Sequence, residues 1–214
     1  MTDTIMLTKN TKQLSQQVAA HVAADSIAQG IYWDERSKRG CFIGCLAHSN
    51  DPRINEQTYG LPVVVQRIAE SIFESLPDDE AKAFFAALPD TVGCDGKDLS
   101  KVGWQFLAAE LRALPKQIAE IQVVIDPVIA GMDLLASGQE WADADAAADA
   151  AWAVAARAAA ARAAGWAADA ANDADATWAA AYAAAYAADA ARRRQRDTLL
   201  ALISQAPVME ALPE

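Results

Sequence analysis

Three side chains able to bind a metal or attack a substrate lie close together: Cys41, Cys45 and His48, in the stretch RGCFIGCLAH. On a helix they fall at i, i+4 and i+7, along one face, and spacings of three and four are how helices present paired ligands to one ion. Cys41 and His48 would then stand ~10.5 Å apart along the axis, at ~1.5 Å per residue, while zinc bonds are only ~2.0–2.3 Å long. Three ligands from one regular helix are therefore strained. A better set joins Cys45 and His48 to Cys94, from the loop GCDG, or to His21 from an earlier helix, with Cys41 as a further candidate. Zinc is the metal such ligands would take, and a structural zinc module is one expectation.

The same stretch could carry a thiol nucleophile. Cys41 follows Gly40 at a candidate helix start, where the helix dipole lowers a thiol pKa. A nucleophile also needs a base within hydrogen-bond reach. His48 is too far along a regular helix, and His21 would have to come from another element. Cys41, His48 and His21, with Asp51 nearby, are thus the candidate catalytic residues of a thiol- or metal-dependent hydrolytic enzyme. The structural account ranks first: small cysteines and Gly44 let a short helix pack closely, since free cysteine behaves as a small buried hydrophobe. His48 then caps or bonds near the turn-rich exit HSNDP.

The elements that must position these residues read as helices. Leu14, Val18, His21 and Val22 recur at helical spacing in a segment ending by Gly30. Pro62 stands near the start of a helix whose face is Leu61, Val64, Val65, Ile68, Ile72 and Leu76. The segment DDEAKAFFAALP opens with acids, which suit the positive helix end, and buries Phe84, Phe85 and Leu88. Val102, Phe106, Leu107, Leu111 and Leu114 continue the pattern. Ile118, Ile121, Ile125, Val128, Met132 and Leu135 form a stripe that wants a partner helix, with a kink expected at Pro127. Only GIYWDERSKRGCFIG could pass for strands, as a short hairpin around a charged turn. The fold class is all-α.

Composition changes near Ser137–Gly138: from Gln139 to Ala191, 32 of 53 residues are alanine. Alanine is the best helix former, so we expect a helical globular domain over residues 1–137, an alanine-rich helical arm over 138–206 and a short tail over 207–214. The arm is a hairpin with limbs near 139–171 and 175–204, or one long helix. Trp141 and Trp152 share a face, and Trp178, Tyr182 and Tyr186 step by four. These rings either clamp the arm to the globular part or form a partner surface, as Trp and Tyr dominate binding hot spots. The run RRRQR suits the negative end of a helix, with Arg192, Arg193 and Arg194 as an alternative anion site.

The net charge is −11 over 214 residues, and both halves are acidic, which argues against nucleic acid as a partner. Three cysteines are no disulfide framework. The start lacks a secretory pattern, and the alanine tract is too weakly apolar for a membrane span. A cytoplasmic location is expected. The run VAADSIAQGIYWDERSKRGCFIGCLAHSNDP, followed by YGLPVVVQRIAESIFESLP and an alanine-rich tail, resembles a family of uncharacterised bacterial and phage proteins. The G-C-x-x-G-C-x-x-H core and the Y-G-x-P helix start carry this likeness over roughly residues 18–114; the tail matches in composition only. It implies no catalytic residue, and phage occurrence admits a host-interaction role. With no nucleotide loop, triad spacing or HExxH-type pair, the first expectation is a non-enzymatic helical protein that binds a protein partner or sequesters a small ligand. It would need no cofactor, and it could self-associate through its alanine-rich helices.

Overall fold

A computed structural model describes residues 6–114, 119–142 and 174–209. These residues are mostly helical, with one two-stranded antiparallel sheet. In chain order they form α1 (Thr11–Ala23), β1 (Trp33–Asp34), β2 (Arg39–Gly40), α2 (Phe42–Ala47), α3 (Pro52–Tyr59), α4 (Val63–Ser75), α5 (Asp78–Val92), α6 (Val102–Arg112), α7 (Ala119–Ala136) and α8 (Ala174–Gln205). The all-α expectation holds. The hairpin, the weaker reading of its segment, is present with two residues per strand, Trp33 opposite Gly40 and Asp34 opposite Arg39. Its charged turn is tied by Asp34, which accepts from the Arg36 N–H and the Ser37 hydroxyl.

The chain forms two compact units, Met1–Phe106 with Arg192–Glu214, and Leu107–Ala191. Composition instead changes at Ser137–Gly138. The first unit holds the oily interior. Phe42, from α2, stacks on Phe84 at 5.5 Å and meets Phe73 and Phe85 edge-on. Leu14, Val18, Leu61, Val65, Ile72, Leu88, Val102 and Phe106 are buried as their spacing predicts, whereas Val22 and Leu114 are exposed. Val64 and Ile68 are only half-buried, because α4 turns Gln66, Ala69, Glu70 and Phe73 inward instead. Gln66 donates to the carbonyls of Pro52 and Leu61 and accepts from Asn55. It thereby joins the first turn of α3 to the Leu61 carbonyl in the loop before α4, and the buried amide finds its partners.

Lys97 ties the end of α8 to the end of α5. Its ammonium donates to the carbonyls of Thr91, Ile203 and Ser204. The last turn of α8 carries no basic residue of its own, so a cation from another segment meets its negative end. Leu199 and Ile203 of the same turns are fully buried. The run RRRQR therefore does not close a helix: α8 continues to Gln205. Arg193 instead grips the Glu80 carboxylate (Nη2–Oε1 2.7 Å), and Arg196 reaches it at 3.1 Å. Glu80 stands in the first turn of α5 with Asp78 and Asp79.

In the second unit, α7 runs through Pro127. Ile121, Ile125, Val128, Met132 and Leu135 are half-buried. Gly131 lets the Trp141 ring lie against the helix, where any Cβ would overlap it. The limb expected near 139–171, and with it the choice between hairpin and rod, lies mostly outside the described residues. Among the described residues, no helix is long and apolar enough to cross a membrane.

Candidate functional site

Of the residues singled out by their chemistry, Cys41, Cys45, His21 and His48 gather where α1, the hairpin and α2 meet. Helix α2 is only six residues long: Cys41 is its N-cap, in extended backbone, and His48 its C-cap, in the left-handed region at φ 50°. The two therefore do not share a helical face. Gly44 explains the compactness. A Cβ there would overlap the Tyr32 carbonyl, so only glycine lets α2 lie against the hairpin backbone. The Cys41 N–H donates to the carbonyl of Ile31 at 2.7 Å, which fixes this contact.

Both thiols are buried. Cys41 does stand at a helix start, yet burial outweighs the short helix. Desolvation first, then a hydrogen bond to the Glu70 carboxylate, pushes its pKa up to about 12. Its Sγ also lies 3.6 Å from the Tyr32 carbonyl. Cys45 is likewise pushed up to about 12, by burial above all, with its Sγ 3.1 Å from the Gly40 carbonyl. At neutral pH both are protonated, so neither is the activated nucleophile a helix start suggests. Cys94 is exposed, in a loop whose carbonyl accepts from the Thr8 hydroxyl. Asp51 is the N-cap of α3: its carboxylate accepts from the Arg53 N–H and guanidinium.

The metal-competent group differs from the expected one. Among the described residues, one set of three or more such side chains converges, Cys41 with Glu70 and Glu74, their ligand atoms within 4.8 Å of one another. Cys45, His48 and Cys94 form no such group there. Both carboxylates already have backbone partners: Glu70 accepts from the Ile43 N–H at 3.0 Å, and Glu74 from the Gly30 N–H at 2.8 Å. Burial raises the Glu70 pKa, and the Cys41 thiol partly offsets this.

The histidines do meet. His21 Nε2 and His48 Nε2 are 3.1 Å apart. Gln17, one turn before His21 on α1, places its amide nitrogen 2.7 Å from His48 Nε2, 3.2 Å from His21 Nε2 and 3.0 Å from the Cys45 carbonyl. Trp33 stacks on His48 at 4.3 Å and meets His21 edge-on at 5.8 Å. Ser26 holds His21 Nδ1 at 2.6 Å. Burial first, then the neighbouring His48, keeps His21 below the usual imidazole pKa. His21 is buried and His48 exposed.

Comparison with protein-family models, curated proteins and solved structures gives no match. The site must be read from its own chemistry. Trp178, Tyr182 and Tyr186 lie on the described backbone of α8, with their side chains outside the described residues. Arg193 is engaged with Glu80; Arg192 and Arg194 lie beside it on α8. Sequence reasoning missed Gln17, Ser26, Trp33 and Glu70. For Gln17 a signal was present: it stands four residues before His21, on the same helical face. The others reach the site from the hairpin, its approach and α4, where only tertiary packing brings them.

Proposed function

We propose that this chain is a non-enzymatic binding protein that engages a protein partner through the apolar edge of its hairpin. The observation that carries this is the exposure of Ile31 and Tyr32, at 46% and 48%, on a backbone with little freedom. Their carbonyls accept from Cys41, and Gly44 packs directly against Tyr32. Large side chains displayed from a braced backbone lose little entropy on docking, which favours a hot spot. The protonated thiols beside this edge fit a structural use better than nucleophilic catalysis. A host-interaction setting, which the resemblance to uncharacterised bacterial and phage proteins implies, belongs to the same proposal. Cytoplasmic location and self-association through the alanine-rich helix belong to the same proposal.

A photo-crosslinking amino acid at position 32, with position 13 on the exposed side of α1 as control, tests it in bacterial cells. We expect a discrete protein adduct from position 32 alone, lost when Ile31 is changed to Ser. Equal adducts from both positions, or none from 32, would overturn it. Convergence of Cys41, Glu70 and Glu74 supports a second reading, a zinc ion that only holds the hairpin, α2 and α4 together. It ranks lower because an ion would compete with the backbone N–H groups both carboxylates already serve.

A further inference from the structure

The proton inventory around His21 and His48 is unbalanced. The Ser26 hydroxyl lies 3.2 Å from the His21 carbonyl and donates to it. We assign its oxygen as the acceptor from His21 Nδ1–H, 2.6 Å away. With its proton on Nδ1, neutral His21 turns the Nε2 lone pair toward His48 and toward the Gln17 amide nitrogen, 3.2 Å away. On the other side, the Cys45 carbonyl can only accept, so it fixes which end of the Gln17 amide is nitrogen. The second amide hydrogen then faces His48 Nε2 at 2.7 Å, which assigns a lone pair there too. Two imidazole lone pairs face each other at 3.1 Å. The one Gln17 hydrogen left for them would be shared between the two rings, and an electrophile between them would satisfy both lone pairs.

We propose that His21 and His48 form a two-histidine site for a transition-metal ion of the zinc, nickel or copper class, with its remaining positions open to solvent. Imidazole nitrogen is a preferred ligand of these ions. Two nitrogens bonded to one zinc at ~2.0–2.1 Å and a tetrahedral angle stand ~3.3–3.4 Å apart, a few tenths of an ångström beyond the observed spacing. Ser26 supplies the outer hydrogen bond that metal-bound histidines use to fix their tautomer. The two ligands come from different elements, α1 and the end of α2, and each ring is held: His21 by Ser26, His48 by the Trp33 stack and its left-handed backbone. His48 is exposed, so the ion would enter from that side. Water would take the corner where the Gln17 amide now lies. This site is separate from the Cys41, Glu70 and Glu74 group and from the partner-binding proposal.

Isothermal titration of the full chain with zinc and with nickel, at neutral pH after chelator treatment, tests the assignment. The expected result is one equivalent bound at micromolar Kd, weakened at least ~100-fold by His48→Ala and by His21→Gln, and within threefold of the parent in Glu74→Gln and Cys94→Ser. Because His48 is exposed, His48→Ala tests ligation even if His21→Gln fails to fold. Binding no tighter than millimolar, binding unchanged in His48→Ala, or binding abolished by Glu74→Gln would each overturn it.

Discussion

Cys41 and Cys45 show that a residue's type does not set its chemistry. Their thiols face backbone carbonyls in a buried corner, and the cost of creating a buried charge keeps them protonated. Alkylation at pH 8 is expected to modify Cys94 quickly and the other two only on unfolding; mass mapping of labelled peptides checks this. Early labelling of Cys41 would contradict the assigned burial. Gly44 matters as much as either cysteine. Changing it to Ala would drive a methyl group into the Tyr32 carbonyl and should cost about 3 kcal/mol, read by urea denaturation. A loss under ~0.5 kcal/mol would mean that the hairpin does not bear on α2.

At the scale of elements, the end of α8 depends on a residue from another segment. Lys97→Met keeps much of the buried side-chain volume but leaves the carbonyls of Thr91, Ile203 and Ser204 without their cation. A loss of about 2–3 kcal/mol is expected, and faster amide exchange at the end of α8 would localise it. Higher up the same helix, Arg193 and then Arg196 hold the Glu80 pKa below its usual 4.5. The folded state therefore binds this proton more weakly than the unfolded chain does. Its contribution to stability is fully present above pH ~4.5 and disappears as pH falls through the lowered folded value. In Glu80→Gln that part of the acid dependence should vanish, with little change in the slope above pH 6. Thermal unfolding from pH 2.5 to 7 checks both statements; identical curves for the two proteins would refute the role of this contact.

Considered as a whole, the first compact unit is built from both ends of the chain. Leu199 and Ile203 are as buried as Leu14 or Phe85. Residues 7–8, 96–98 and 207–209 are laced by backbone bonds: Thr8 N–H to the Lys97 carbonyl, Asp98 N–H to that of Pro207, and Met209 N–H to that of Gly96. A chain ending at Ala191 should consequently lose its cooperative transition instead of shedding a dispensable tail. Calorimetry of the shortened chain would show a broad or missing unfolding peak; an intact peak would argue against this closure.

Much of the helical framework was legible in sequence, because a 3.6-residue hydrophobic period is a local property of the chain. Leu14 with Val18, Phe84 with Phe85 and Leu88, and Val102 with Phe106 follow from spacing alone. So does the helical backbone of the alanine-rich Ala174–Gln205, where propensity needs no partner. What the sequence could not decide were the properties that arise between elements: the silencing of two thiols by burial, the Glu70 carboxylate placed beside Cys41, and the meeting of His21 with His48 under Trp33. Those depend on which faces touch, and a contact across 27 residues leaves no period in the chain that makes it.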